Sequence, residues 1–216
     1  MKIRVDWTIV LLAAVAAPIG VNAGQSSAPA VNASALVEVH GGTASFDVGT
    51  NIPAIRVHGK SSQVEASARV REQESRLLLT EMTAIVPVRT LTTGLGLRDE
   101  HMRRYVFATN DGKTPDVRFT GAEGECAATS SQATTCRVEG QLAIRGDTRP
   151  FAIALKLTRD GALYRAVGDG TVKLSDYGIP LPSQLGVSTE NEVKLHLEFT
   201  ATPAAQRAVA TTGGGR

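Results

Sequence analysis

The residues of this chain best placed to do chemistry are Asp99, Glu100 and His101. They lie in the stretch 92–104, Thr-Thr-Gly-Leu-Gly-Leu-Arg-Asp-Glu-His-Met-Arg-Arg. Two carboxylates and an imidazole could supply acid–base catalysis. They are adjacent in sequence, however, and adjacent helical residues point in different directions. Asp99 and Glu100 equally suit the first turn of a short capped helix, where the helix dipole favours negative charge. Gly94 and Gly96 allow a tight backbone path but lack the third glycine and the βαβ setting of a dinucleotide fingerprint. No Gly-x-Ser-x-Gly nucleophile elbow occurs. His40, His58, His101 and His196 are scattered, and the cysteines have no Cys-x-x-Cys spacing, so no metal ligand set is visible. Cys126 and Cys136 are instead an isolated pair, which in an oxidising compartment forms a disulfide closing a polar loop.

The elements that would carry these residues are mostly strands. Ala44, Phe46 and Val48 alternate with polar neighbours, as do Ile55 and Val57, and Val64, Ala66, Ala68 and Val70. The same period of two recurs at Val138, Gly140, Leu142 and Ile144, at Phe151, Ile153, Leu155 and Leu157, and at Val193, Leu195, Leu197 and Phe199. Each pattern puts one face in an apolar interior and one in water. Residues 77–86 are apolar on both faces, which predicts a strand covered on both sides. Residues 97–106 predict one short helix, with Met102, Tyr105 and Val106 on its buried face. Seven or eight strands joined by Gly, Asn and Asp turns predict an all-β sandwich or antiparallel barrel plugged by that helix. The interior set is rich in small residues, including Ala44, Ala66, Ala68, Gly140, Ala166 and Gly168. A barrel of about eight strands is filled by side chains or holds one small ligand. So small a lining favours a hollow interior, with Ala166 and Gly168 both pointing inward; large residues opposite could fill the gaps instead.

The ends read differently. Lys2 and Arg4, an apolar run over 7–17 and Val21-Asn22-Ala23 have the layout of a secretory signal peptide, residues 1–23. Residues 24–35 read as a flexible lead-in, 36–202 as one domain and 203–216 as a disordered tail. Without the signal the chain carries 21 basic and 20 acidic residues. That balance gives no reason to expect nucleic acid as a partner. No stretch after the signal approaches the ~20 apolar residues of a membrane helix.

Several blocks, in this order, resemble the YceI-like family. They are Ala44-Ser45-Phe46-Asp47-Val48 with Val57-His58-Gly59, then Leu91-Thr92-Thr93-Gly94 with Arg98-Asp99-Glu100-His101-Met102-Arg103. Thr114-Pro115-Asp116-Val117-Arg118-Phe119, residues 140–150, Ser175-Asp176-Tyr177-Gly178-Ile179-Pro180 and the strand from Glu192 follow. The 126–136 loop looks like an insertion. The resemblance implies a periplasmic or secreted protein with a lipocalin-like barrel of about eight strands that binds a polyisoprenoid or isoprenoid quinone, with no cofactor. The expected lipid wall is Phe46, Val57, Val64, Ala66, Leu142, Ile144, Ile153, Leu155, Ala166, Leu195 and Leu197. Arg98 and Asp176 are expected near a head group. The other readings are an enzyme acting on a lipid or glycan through Asp99, Glu100 and His101, and a filled barrel that binds a partner by its surface.

Overall fold

Period-two alternation is realised as strands wound into a ring. The computed structural model describes residues 34–73, 76–127 and 133–204. The expected signal peptide, and nearly all of the expected lead-in and tail, fall outside those residues. Among the described residues there are eleven strands: β1 (Ala35–His40), β2 (Thr43–Thr50), β3 (Arg56–Ser61), β4 (Glu65–Gln73), β5 (Arg76–Val86), β6 (Val117–Cys126), β7 (Ala133–Ile144), β8 (Asp147–Asp160), β9 (Leu163–Lys173), β10 (Ser183–Gln184) and β11 (Val187–Pro203). Strand pairing therefore begins one residue before and ends one residue after the expected domain edges.

Eight strands close on themselves in the order β1-β4-β5-β6-β7-β8-β9-β11, every neighbouring pair antiparallel. The ring closes where Val37 and Glu38 of β1 pair with Pro203 and Thr202 of β11. On the edge opposite β9, β11 is long enough to serve both β1 and β2. Its final residues hold β1, and residues 189–198 hold β2, with Val193 opposite Val48 and Leu197 opposite Ala44. The chain passes from β1 to β2 through Gly41-Gly42. Gly42 has φ 143°, and a Cβ there would stand 2.7 Å from Cβ of Phe199. Only glycine fits so close an approach in that backbone conformation. β3 pairs with β2, and Lys60 bridges on to Thr92.

β5 corrects one expectation. It is not a strand buried on both faces. Ser67 pairs with Thr83 but Arg69 pairs with Thr80, so β5 holds one extra residue, and Glu81 there takes φ 51°. Such a bulge flips the in–out parity of everything after it. Leu79 faces inward before it, and Met82, Ala84 and Val86 face inward after it. Two alternating patterns joined out of phase look apolar on both faces when read as one.

The connection from β5 to β6 carries the helical segment. After a 3-10 turn at Val88–Thr90 come α1 (Gly96–His101) and a π-helical turn, Met102–Phe107. The π turn corrects the expected helix face in part, since Val106 still packs, half-buried, against an apolar cluster near α1. The turn's hydrogen bonds span five residues rather than four, so Met102 and Phe107 are the buried pair and Tyr105 is turned out, 57% exposed. The antiparallel order puts this segment, the β2–β3 turn, the β7–β8 turn and the 174–186 connection at one end of the barrel. The β4–β5, β6–β7 and β8–β9 connections lie at the other end.

Candidate functional site

Two apolar clusters pack the two ends. Near the β6–β7 loop, Leu79, Met82, Cys126, Cys136, Val138, Ile153 and Leu157 pack together. Near α1, Val88, Leu91, Met102, Phe107, Leu142, Ile144, Val172 and Tyr177 do the same. Residues of both clusters line a single cavity of about 1090 Å³. That reaches past the 300–1,000 Å³ of ordinary small-molecule sites. All eleven expected wall residues line it. β2 contributes Phe46, β7 Leu142 and Ile144, β8 Ile153 and Leu155, β9 Ala166 and β11 Leu195 and Leu197.

Small residues do not all open the cavity. Ala166 lines it, but the space inside Gly168 is taken by Leu155 and Ile153. Both positions point inward as expected, but Ala166 too is packed, 1% exposed within the far-end cluster, and the open space lies before half-buried Ala66 and Ala68 instead. Phe46, Phe119 and Phe151 likewise lie over Gly59, Gly140 and Gly170. Phe119 and Phe151 meet edge to face with ring centroids 6.2 Å apart. The interior is hollow because the ring is wider than these infills, not because glycine lines it.

Charge is confined to one end. Arg98, Arg104 and Arg145 line the cavity, and no aspartate or glutamate does among the described residues. Arg98 donates from Nε to Thr93 Oγ1 and from Nη2 to the Thr93 carbonyl, each at 2.9 Å. Burial holds the Tyr177 phenol above its ordinary pKa, and the Asp176 carboxylate adds to the effect. Tyr164 is raised chiefly by burial. Both phenols line the cavity as neutral hydrogen-bond donors. Asp176 itself is exposed and absent from the lining; its carbonyl accepts a 2.6 Å bond from Arg149.

The triplet 99–101 is not brought together. Asp99 is 7% exposed and accepts from Thr92 Oγ1 at 2.6 Å, Thr93 N at 2.6 Å and Thr93 Oγ1 at 2.5 Å. Burial works against its charge, but those donors and the Arg103 guanidinium outweigh it, and the carboxyl is held below its usual pKa. A carboxylate saturated in this way fastens the 92–95 loop to α1. Glu100 points to solvent against Arg104, at 3.0 Å. His101 lies edge-on to Tyr105, with ring centroids 5.6 Å apart. Glu100 is thus a solvated helix residue, whereas Asp99 is buried and bonded. His58 and His196 pair with Asp47 and Asp169, and among the described residues no three His, Cys, Asp or Glu side chains form a metal cluster. The side chain of His40 lies outside the description.

Cys126 and Cys136 face each other across β6 and β7 and are joined by a disulfide. A YceI-like domain matches residues 36–201 in comparison with family models. The chain belongs to the YceI-like family. Solved structures repeat its barrel. BcnA of Burkholderia cenocepacia aligns with TM-score 0.54 at 15% identity, over 74% of this chain and 96% of that one. A polyisoprenoid binding domain from Saccharophagus degradans, implicated in plant cell wall breakdown, aligns with TM-score 0.53 at 11% identity, over 78% and 98%. The YCEI protein of Campylobacter jejuni aligns with TM-score 0.52 at 17% identity, over 68% and 85%. At such identities the likeness carries the fold. No curated protein matches.

Sequence reasoning missed part of the wall of this YceI-like barrel. Val37 and Val39 of β1 are buried and line it. Their alternation with Glu38 and His40 was a usable signal at the domain edge. Leu181 and Leu185 line the mouth from a connection without periodicity, where no pattern marks them.

Proposed function

We propose that this protein is a binding barrel, periplasmic or secreted, that holds one long apolar lipid chain for carriage or sequestration. A polyisoprenoid or an isoprenoid quinone is the class of ligand. The observation that carries the reading is the cavity: about 1090 Å³, walled from end to end by aliphatic and aromatic side chains, with charged groups only at the mouth. Burial is the mechanism. At ~25 cal/mol per Å², removing a few hundred Å² of chain from water yields several kcal/mol without covalent chemistry, metal or cofactor. The polyisoprenoid-binding domain of Saccharophagus degradans, which has the same fold, supports this choice of ligand, as does the secretory layout of residues 1–23. The saturated Asp99 and the outward Glu100 favour binding over catalysis.

Lipid extracted by organic solvent from protein purified out of its own host tests the reading. The expected result is an apolar chain at near one per barrel. An extract without lipid, from protein that also takes up none from an isoprenoid suspension, would refute it.

A further inference from the structure

Leu185 stands where both burial and backbone disfavour leucine. It is 96% exposed, and it takes φ 51° beside Gly186 at φ 80°. The two form the turn of the β10–β11 hairpin, with Gln184 paired to Val187. A two-residue turn with both φ values positive is the setting that favours Asn-Gly, and a branched aliphatic there is strained and poorly hydrated. It has company. Among the described residues nine large apolar side chains are exposed, and seven lie at the α1 end of the barrel. The β2–β3 turn contributes Ile52 and Ile55, the start of the helical segment Leu95 and Leu97, the π turn Tyr105, and the 174–186 connection Leu181 and Leu185. The other two, Leu36 and Leu163, sit at the far end.

Two further observations say what this lip meets. Ile55, Tyr105, Leu181 and Leu185 also line the cavity, so lip and interior are one apolar surface. The charged side chains lining that mouth are Arg98, Arg104 and Arg145. Glu100 neutralises Arg104, but among the described residues Arg98 and Arg145 make no ion pair. Exposed aliphatics set among unpaired guanidiniums complement the boundary between acyl chains and anionic head groups.

We propose that the α1 end of the barrel docks onto the surface of an anionic lipid bilayer, so that a chain passes between membrane and cavity without crossing water. The proposal rests on the lipid-binding reading. Asn51 ties two parts of the lip together: its Nδ2 donates to the Gly186 carbonyl at 3.1 Å, and its Oδ1 accepts from Ser188 N at 3.0 Å. The Leu185 turn and the Ile52–Ile55 turn therefore present themselves as a unit.

Flotation with vesicles of the protein as secreted, without the apolar run of residues 7–17, tests this. With vesicles of equal parts phosphatidylcholine and phosphatidylglycerol the parent protein floats, less so with phosphatidylcholine alone or at high salt. Leu185→Asn, and separately Leu95→Ser with Leu97→Ser, weaken flotation by about tenfold or more. Leu36→Ser with Leu163→Ser leaves it unchanged. Leu185→Asn also keeps or raises the unfolding midpoint, because asparagine tolerates positive φ, so lost flotation is not lost folding. A parent that stays in solution, or lip variants that float as it does, would overturn the proposal. So would a concentration-dependent dimer, without vesicles, that the same substitutions abolish, since the lip would then cover a second copy. Lipid in the organic extract beside failed flotation sinks this proposal alone; an extract and a suspension assay both without lipid sink the carrier reading.

Discussion

Asp99 is the one buried carboxylate among the described residues, and its role is mechanical. Removing its charge leaves Thr92 and Thr93 donors with a poorer acceptor, so Asp99→Asn should cost about 1–3 kcal/mol at pH 7. The pH dependence has a definite sign. Its folded pKa is lowered, so its contribution is complete above the unfolded value of about 4 and is lost as pH falls through the folded value. Denaturant midpoints of parent and variant should therefore differ at pH 7 and converge toward pH 2. A constant gap would contradict the assignment. Ala66 tests the hollow. It lines the cavity and is only half-buried, so in Ala66→Phe the ring enters existing space. Stability should change by well under the ~1–3 kcal/mol of overpacking, while lipid loading falls. Melting and loading measured together decide it. The inward alternation of Ala166 was legible in the sequence. That Leu155 fills the neighbouring Gly168 was not, because a neighbouring strand's rotamer leaves no mark on the local pattern.

At the scale of elements, alternation read most of the long strands, missed β1 at the domain edge, and misled where geometry departed from regular repeats. β5 hides a parity switch at Glu81, and the segment after His101 hides a π turn. Each inserts one residue into a repeat, and hydrophobic spacing alone cannot tell an insertion from a second apolar face. The β6–β7 connection was more legible, since two cysteines ten residues apart in an otherwise cysteine-free chain have one partner each. The bond closes a short loop, so the double replacement Cys126→Ala with Cys136→Ala should lower stability by roughly 2–3 kcal/mol. The disulfide joins the packing at the end away from the mouth, so lipid loading at low temperature should be retained. Equal denaturant midpoints for the two proteins, or loading lost with the bond, would contradict this placement.

At the scale of the whole molecule, one chain divides its labour between two ends. The far end is stapled and packed, while the α1 end carries the exposed aliphatics, the arginines and the opening. Strand count and turn chemistry narrowed the fold to a sandwich or a barrel of seven or eight strands, and the ordered blocks, through the family they resemble, chose the eight-stranded barrel. The cavity was only half readable: a small-residue lining is compatible with a filled core, and the width left after Phe46, Phe119 and Phe151 have folded inward depends on ring closure. Native mass spectrometry of the protein purified from its own host reads the contents of the cavity without intermediates. The expected species is a complex heavier than the polypeptide by one long-chain lipid, released on activation in the gas phase. A bare polypeptide mass, unchanged after incubation with an isoprenoid lipid, would contradict the binding reading.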